Sequence, residues 1–170
     1  SVSRGLGDVY KRQELNLLQE YFLNIGMGKT STSGHEGYGL NYLMKNKDLI
    51  IMNKKNQISH AKKIALQMYD NGYTKPIQRN DIKVLGQQAL GAFYVGADSM
   101  LVGGYISDHD KKIAKKISNI LAGGNLSQST LVSEQYLLDL EREAFLSLCG
   151  EKKTLERIQF MLKNGKPLRN

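Results

Sequence analysis

The sequence predicts a mainly helical, all-α protein. Apolar residues recur at three- and four-residue spacing along several segments, which is the period of an amphipathic helix. Serine residues stand just before several of these segments and glycines follow them, as expected for helix caps. The only stretch with the pattern of a strand is residues 48–52, and a single strand makes no sheet.

The first half of the chain predicts three helices. One begins at Glu14 and ends at Gly26. A short one begins at a capping box formed by Ser33 and Glu36, and three glycines weaken it by about 1 kcal/mol each relative to alanine. The third covers residues 56–71 and is amphipathic. Its apolar face carries Ile58, Ala61, Ile64, Ala65 and Met68.

The second half predicts four more helices. The first covers residues 87–102, where Ala89, Ala92 and Gly96 form a stripe of small residues that could let a neighbouring helix approach closely. Ser107 caps the next helix, and Ser133 caps the longest one, which ends at Cys149. The last covers residues 152–163. The inward faces of these last three helices are predicted to be Ile113, Ile117, Ile120 and Leu121, then Leu137, Leu140, Ala144 and Leu148, then Leu155, Ile158 and Leu162.

Composition narrows the class of protein. The 170 residues include one cysteine, Cys149, so an internal disulfide is excluded and a reducing compartment, by default the cytoplasm, is expected. No apolar run approaches the roughly 18 residues that span a bilayer, so no membrane partner is expected. The net charge is +8, but the lysines lie in scattered pairs without interleaved aromatic residues, which makes a nucleic-acid partner an unfavoured expectation.

Candidate chemical groups are few. His35, His60 and His109 are far apart and lack the spacing of a zinc site. The Asp108-His109-Asp110 run could bind a metal weakly. The favoured interpretation is two aspartates at a helix N-terminus with a solvated histidine between them.

The remaining polar groups have structural interpretations that we favour over functional ones. Cys149 is expected to be a small buried hydrophobe and not a nucleophile. The acidic residues Glu134, Glu141 and Glu143 are expected to be surface charges and not an acid–base pair. A lysine cluster is expected to be a solvated face, and the alternative is a site for an acidic partner such as the phosphates of coenzyme A. That cluster is Lys111, Lys112, Lys115 and Lys116.

Two stretches resemble one bacterial enzyme family. Residues 132–151 have the sequence VSEQYLLDLEREAFLSLCGE and residues 104–114 have GYISDHDKKIA. Both, with residues 155–159 and 165–170, are similar to the C-terminal signature of bifunctional fatty-acid β-oxidation proteins. These join a 3-hydroxyacyl-CoA dehydrogenase to an enoyl-CoA hydratase of the crotonase type. The likeness extends from about Glu14 to Asn170.

The resemblance implies a parent protein with NAD and a CoA thioester as cofactor and substrate, and a homo-oligomeric assembly. In that family the catalytic groups lie upstream of the matching segment, so no catalytic, cofactor-binding or metal-binding residue is carried over. The chain is then expected to be a non-catalytic scaffold whose partners are the crotonase and dehydrogenase domains of the same polypeptide.

The predicted organisation has four parts. Residues 1–13 resemble a translated sequencing-adaptor read-through, with a native disordered arm as the alternative. Residues 14–72 are expected to be the helical C-terminal tail of a crotonase-type domain, 73–85 a linker, and 86–170 a helical-bundle extension. Two other hypotheses stay open: a basic helical module that binds an anionic partner such as nucleic acid, and a small stand-alone interaction protein.

Overall fold

The computed structural model describes the backbone of residues 2–170 and the side chains of residues 14–170. In that part of the chain it contains seven α-helices, a 3₁₀ turn at Lys54–Asn56 and two short strands, so the mainly helical class is confirmed. The elements in chain order are α1 (Val2–Gly26), α2 (Gly34–Gly39), α3 (Gln57–Asp70), β1 (Ile82–Val84), α4 (Gln87–Val102), α5 (Asp108–Ala122), β2 (Thr130–Val132), α6 (Glu134–Cys149) and α7 (Lys152–Asn164).

The strands do not lie where the sequence predicts. The backbone of residues 48–52 is not a strand, because its start is fixed in a turn: the Asp48 carboxylate accepts from the Met44 N–H at 2.7 Å and the Tyr38 hydroxyl donates to the Asp48 carbonyl at 2.7 Å. Instead β1 and β2 form an antiparallel ribbon with Lys83 opposite Leu131. Strand β1 lies inside the stretch predicted to be a linker.

The chain divides into two compact units. The larger consists of the chain up to Gly28 together with Gln78–Asn170, and the smaller is Lys29–Ile77. Helix α1 begins at Val2, although its periodicity begins only at Glu14. The side chains of residues 1–13 lie outside the described residues, so their interpretation as a leader stays a prediction, as do the boundaries at 14–72, 73–85 and 86–170.

The core of the larger unit lies where α1, α4 and α5 meet. The rings of Phe22 and Phe93 stack with centroids 4.9 Å apart. Helix α4 turns Ala89, Phe93 and Ala97 inward at four-residue spacing, and the alanines let neighbouring backbones approach. The predicted stripe was wrong at Gly96, which is exposed. The buried cluster is Phe22, Leu85, Ala89, Phe93, Ala97, Ala114 and Ala122.

Helices α5 and α6 present the predicted faces. Ala144 is buried on α6, and the other residues of its predicted face are partly buried. The isoleucines of α5 are partly buried, while its most buried stripe consists of smaller or polar residues. These are His109, Ala114, Ser118 and Ala122.

Helix α7 contradicts the prediction. Leu155, Ile158 and Leu162 were expected to face inward, yet they are 46%, 38% and 83% exposed. The reason is that α7 meets the rest of the unit through polar side chains on a different side, chiefly Thr154 and Arg157.

The smaller unit contains α2 and α3. The Ser33 hydroxyl accepts from the Glu36 N–H at 3.1 Å, as predicted. The Glu36 carboxylate, however, accepts from the backbone and hydroxyl of Thr32, both at 2.6 Å, and not from the Ser33 N–H. Helix α3 lies within one residue of its predicted bounds, and none of its residues is buried in the described structure.

Candidate functional site

The larger unit contains a mainly apolar cavity with two charged residues on one wall. It has a volume of about 240 Å³ and lies among α1, α4, α5, α7 and the tail that follows α7. Its lining is mainly apolar, with Phe22, Met100 and Ile113 among the contributors. Asp110 and Arg157 bring charge to one wall.

Those two charged residues form an ion pair. Arg157 Nη1 lies 2.6 Å from Asp110 Oδ1, and the two side chains are only 17% and 22% exposed. The pair joins helices that are distant in sequence. Partial burial strengthens the attraction between the two charges compared with a pair in water. It also removes both ions from solvent, and additional hydrogen bonds are needed to offset that loss of hydration.

The sequence supplies those additional bonds to the carboxylate through a helix cap. Ser107 is the N-cap of α5 and Asp110 is its third residue, so Asp110 Oδ2 accepts from the Ser107 N–H at 3.0 Å and from its hydroxyl at 2.9 Å. Partial burial by itself would raise the pKa of Asp110. The hydrogen bonds from Ser107 and Arg157 outweigh it and hold that pKa below its usual range.

The remaining N–H groups of the Arg157 guanidinium donate to Asn170, in the tail that follows α7. Arg157 Nε donates to Asn170 Oδ1 at 2.8 Å and Nη2 donates to the Asn170 carbonyl at 3.2 Å. Asn170 Nδ2 in turn donates to Glu156 Oε2 at 2.8 Å. The donors of Arg157 are therefore directed at protein acceptors, an arrangement that fixes α7 and the tail against α5.

His109 is buried, which corrects the prediction of a solvated histidine. It is 5% exposed and its Nε2 lies 2.9 Å from the Thr154 hydroxyl. Burial, followed by the positive charges of Arg157 and Lys153, lowers its pKa. The flanking aspartates do serve the helix N-terminus as predicted. Within the described residues, no three side chains of the types His, Cys, Asp and Glu form a metal-binding group.

The lysine cluster is not simply a solvated face. Lys111 Nζ lies 2.7 Å from Asp98, and Lys112 Nζ lies 2.7 Å from Glu151. The ammonium of Lys115 stands 5.2 Å from the centroid of the Tyr94 ring. The hydrogen bond from Lys112 lowers the pKa of Glu151, and that from Lys111 lowers the pKa of Asp98. This internal pairing gives no support to the hypothesis of a site for an anionic partner.

The other candidates remain separate. Glu134, Glu141 and Glu143 are exposed on α6, so their interpretation as surface charges is confirmed. Cys149 is partly buried at the end of α6 and forms no disulfide. His35 and His60 are exposed in the smaller unit.

The turn from β1 into α4 does not fit a dinucleotide. The Gly86 N–H donates to the Ala122 carbonyl at 2.9 Å and the Gln87 N–H donates to the Leu126 carbonyl at 2.8 Å. The amides that would face a pyrophosphate at a helix N-terminus therefore have protein partners. Strand β1 also pairs antiparallel, unlike the parallel sheet of a dinucleotide-binding fold.

Sequence reasoning missed Arg157, Thr154 and Asn170. Arg157 lies 47 positions from Asp110, so no local pattern connects them. The available signal was weak: an arginine between the apolar residues of a predicted amphipathic helix.

In the described residues, no helix is long and apolar enough to cross a membrane.

Comparison with known proteins gives one clear relationship. The chain is 44% identical over 156 residues to a "probable 3-hydroxyacyl-CoA dehydrogenase" of Bacillus subtilis (strain 168), and the match covers 92% of this chain. The chain spans about one fifth of the length of that relative, 20%. No family model matches, and no solved structure matches. The relative's name confirms the dehydrogenase half of the resemblance and says nothing of an enoyl-CoA hydratase. The chain is thus homologous, over most of its length, to part of a 3-hydroxyacyl-CoA dehydrogenase.

Proposed function

We propose that this chain is a non-catalytic helical part of a longer fatty-acid β-oxidation protein. The observation that carries the proposal is the 44% identity over 156 residues to a fifth of a 3-hydroxyacyl-CoA dehydrogenase. The parent would oxidise 3-hydroxyacyl-CoA with NAD and would also hydrate trans-2-enoyl-CoA, in the cytoplasm and as a homo-oligomer. Its crotonase and dehydrogenase domains would be the partners of this chain.

The polar groups at the cavity support a structural role. Arg157 and Asp110 neutralise each other, and the remaining donors of Arg157 are directed at Asn170. His109 is engaged with Thr154. Such contacts hold helices in place, and a general acid or base would instead need to reach the proton of a substrate. We expect the parent to bind NAD upstream of this segment, as the resemblance to the bifunctional family implies.

Two measurements test this proposal. The 170-residue chain is incubated with NAD and 3-hydroxybutyryl-CoA, or with crotonyl-CoA, and NADH formation or loss of the enoyl thioester is followed. We expect no turnover above a buffer control. A longer protein that joins this segment to the proposed dehydrogenase and crotonase domains is expected to catalyse both reactions. Turnover by the chain alone, or a longer protein with neither activity, would contradict the proposal.

A pair of variants in the longer protein separates a structural from a catalytic role. Arg157→Ala is expected to lower the unfolding temperature, because it leaves the Asp110 carboxylate partly buried without its partner. The steady-state kcat and KM of the folded enzyme should change by less than about threefold, or under 1 kcal/mol. Arg142→Ala is the matched control, since Arg142 pairs with Asp139 on the exposed surface of α6. A loss of kcat in Arg157→Ala without a change in unfolding temperature would assign Arg157 to catalysis.

A further inference from the structure

The segment 151–170, which we name the C-terminal strap, comprises the N-cap of α7, α7 itself and the tail that follows it. No residue of α7 is buried in the described structure. Its apolar stripe of Leu155, Ile158 and Leu162 is exposed. An amphipathic helix is normally held by burial of its apolar face. The strap must therefore be held largely by other means.

Polar contacts between the strap and α5 hold the strap in position instead of a buried apolar face. Arg157 pairs with Asp110 at 2.6 Å, Thr154 Oγ1 lies 2.9 Å from His109 Nε2, and Glu151 pairs with Lys112 at 2.7 Å. The tail adds its bonds to Arg157. Its Asn170 carbonyl oxygen also lies 3.1 Å from the Ser107 hydroxyl oxygen, whose single proton is directed at the nearer Asp110 Oδ2. Each of the first three contacts includes a group that can gain a proton on acidification.

The strap also forms one wall of the apolar cavity. Arg157, Pro167, Leu168 and Arg169 line the cavity from the strap. The other walls come from α1, α4 and α5 together with Ile106. If the strap moved away from α5, the cavity would lose this wall and open to solvent.

His109 lies among positive charges at this junction. The strap presents Arg157, Lys153 and Glu151 to it, and its own helix presents Lys112. The charges that act on this side chain, which is 5% exposed, are thus mainly positive, although Arg157 is itself paired with Asp110. The imidazole also belongs to the first turn of α5, where the helix dipole is positive. A proton on His109 would be repelled by most of its surroundings.

From this geometry we propose that the C-terminal strap is a pH-sensitive cover of the apolar cavity, which detaches from α5 when His109 becomes protonated. The repulsion between the imidazolium and the cations of the strap supplies the force.

Of the three titratable groups in these contacts, His109 has the highest ordinary pKa, 6.5, compared with 3.8 for Asp110 and 4.5 for Glu151. The pKa values of Asp110 and Glu151 lie below their ordinary values, so both carboxylates stay charged during mild acidification. Burial, then Arg157 and Lys153, lowers the pKa of His109 from the ordinary value of 6.5. The cover should accordingly be closed at neutral pH and open in mildly acidic solution.

Hydrogen exchange of the full 170-residue chain, read by mass spectrometry, tests the proposal. Exchange of α7 amides is compared with that of α4 amides at about pH 7.5 and about pH 5, after correction for the intrinsic pH dependence of exchange. Because the pKa of His109 is lowered while the strap is closed, protonation favours the open form, so we expect exchange of the α7 amides to rise at the lower pH relative to that of the α4 amides. His109→Gln keeps a hydrogen-bonding side chain without a titrating proton, and its strap should open equally at both pH values.

Two controls make the outcome decisive. His35→Gln changes an exposed histidine of the smaller unit, and its strap should respond to pH like the original chain. Arg157→Ala should open the strap at both pH values, whereas the exposed Arg142→Ala should not. Because each variant is compared with itself at two pH values, a general loss of stability does not imitate the effect. An equal pH response in His109→Gln and His35→Gln, or no pH response in the original chain, overturns the proposal.

Discussion

Phe93 is the core side chain whose removal should cost most. It is 1% exposed, and its ring stacks on Phe22 with centroids 4.9 Å apart at 21° between planes. Truncation of a buried phenylalanine to alanine typically costs about 3–5 kcal/mol, of which an aromatic pair accounts for about 0.5–1.5 kcal/mol. The neighbours on the inward face of α4 are Ala89 and Ala97, which cannot extend into the space left. We therefore expect Phe93→Ala to cost about 4–5 kcal/mol, which is between about a third and nearly all of the 5–15 kcal/mol typical of a domain.

Urea unfolding followed by circular dichroism measures this loss. Phe145→Ala is the matched control, because Phe145 is 59% exposed on α6 and should change the free energy of unfolding by only about 0.5 kcal/mol. A double-mutant cycle of Phe22→Leu and Phe93→Leu should give a coupling energy of about 0.5–1.5 kcal/mol. If Phe93→Ala and Phe145→Ala lowered the free energy of unfolding by amounts within about 1 kcal/mol of each other, the assignment of the core would be wrong.

Two further predictions concern a backbone position and a carboxylate. At Gly123, φ is +78° and an added Cβ would clash with the Val84 side chain, so Gly123→Ala should lower the free energy of unfolding by more than about 2 kcal/mol. Gly26→Ala is the control, because an added Cβ there would meet nothing within 4 Å, and it should be neutral or stabilising in the same thermal melt. Equal effects of the two substitutions would contradict the packing of β1 on the end of α5. The lowered pKa of Asp110 means that its contribution to stability is complete above its unfolded pKa of about 4 and is lost as pH falls through the lower folded value. The melting temperature of Asp110→Asn should therefore fall less on acidification than that of the original chain, because this variant has no Asp110 carboxylate to lose. Asp139→Asn changes an exposed carboxylate, and its melting temperature should fall as much as that of the original chain. The same decrease in both variants would count against the Asp110–Arg157 pair.

Local signals predicted most of the helices. Helix α4 has the predicted bounds Gln87–Val102, and Ser107 and Ser133 cap α5 and α6 as expected. These successes share a cause, because periodicity and capping act over only three or four residues. The strands were missed for the opposite reason. Three residues are too few to show an alternating pattern, and β1 and β2 are defined by each other and not by their own sequences.

The candidate site was beyond local reasoning. Asp110 was correctly placed in the first turn of α5, but its partner Arg157 lies 47 positions away. The apolar stripe of α7 predicted a buried face, yet periodicity shows only which side is apolar and not whether the same chain covers it. His109 was misjudged because its acidic neighbours in sequence suggested exposure to solvent, while its hydrogen-bonding partner, Thr154, comes from α7, 45 positions away.

The two-stranded ribbon has a consequence for how the larger unit assembles. Its strands are three residues each, too short to pair stably alone, and α4 and α5 lie between them in the chain. The strands can meet only after α4 and α5 have packed side by side, since closing so long a loop has an entropic cost that the ribbon alone does not offset. The amides that bond across the ribbon between Ile82–Val84 and Thr130–Val132 are therefore natural reporters of that helical pair, and they should gain protection in refolding experiments no earlier than the helices they tie together.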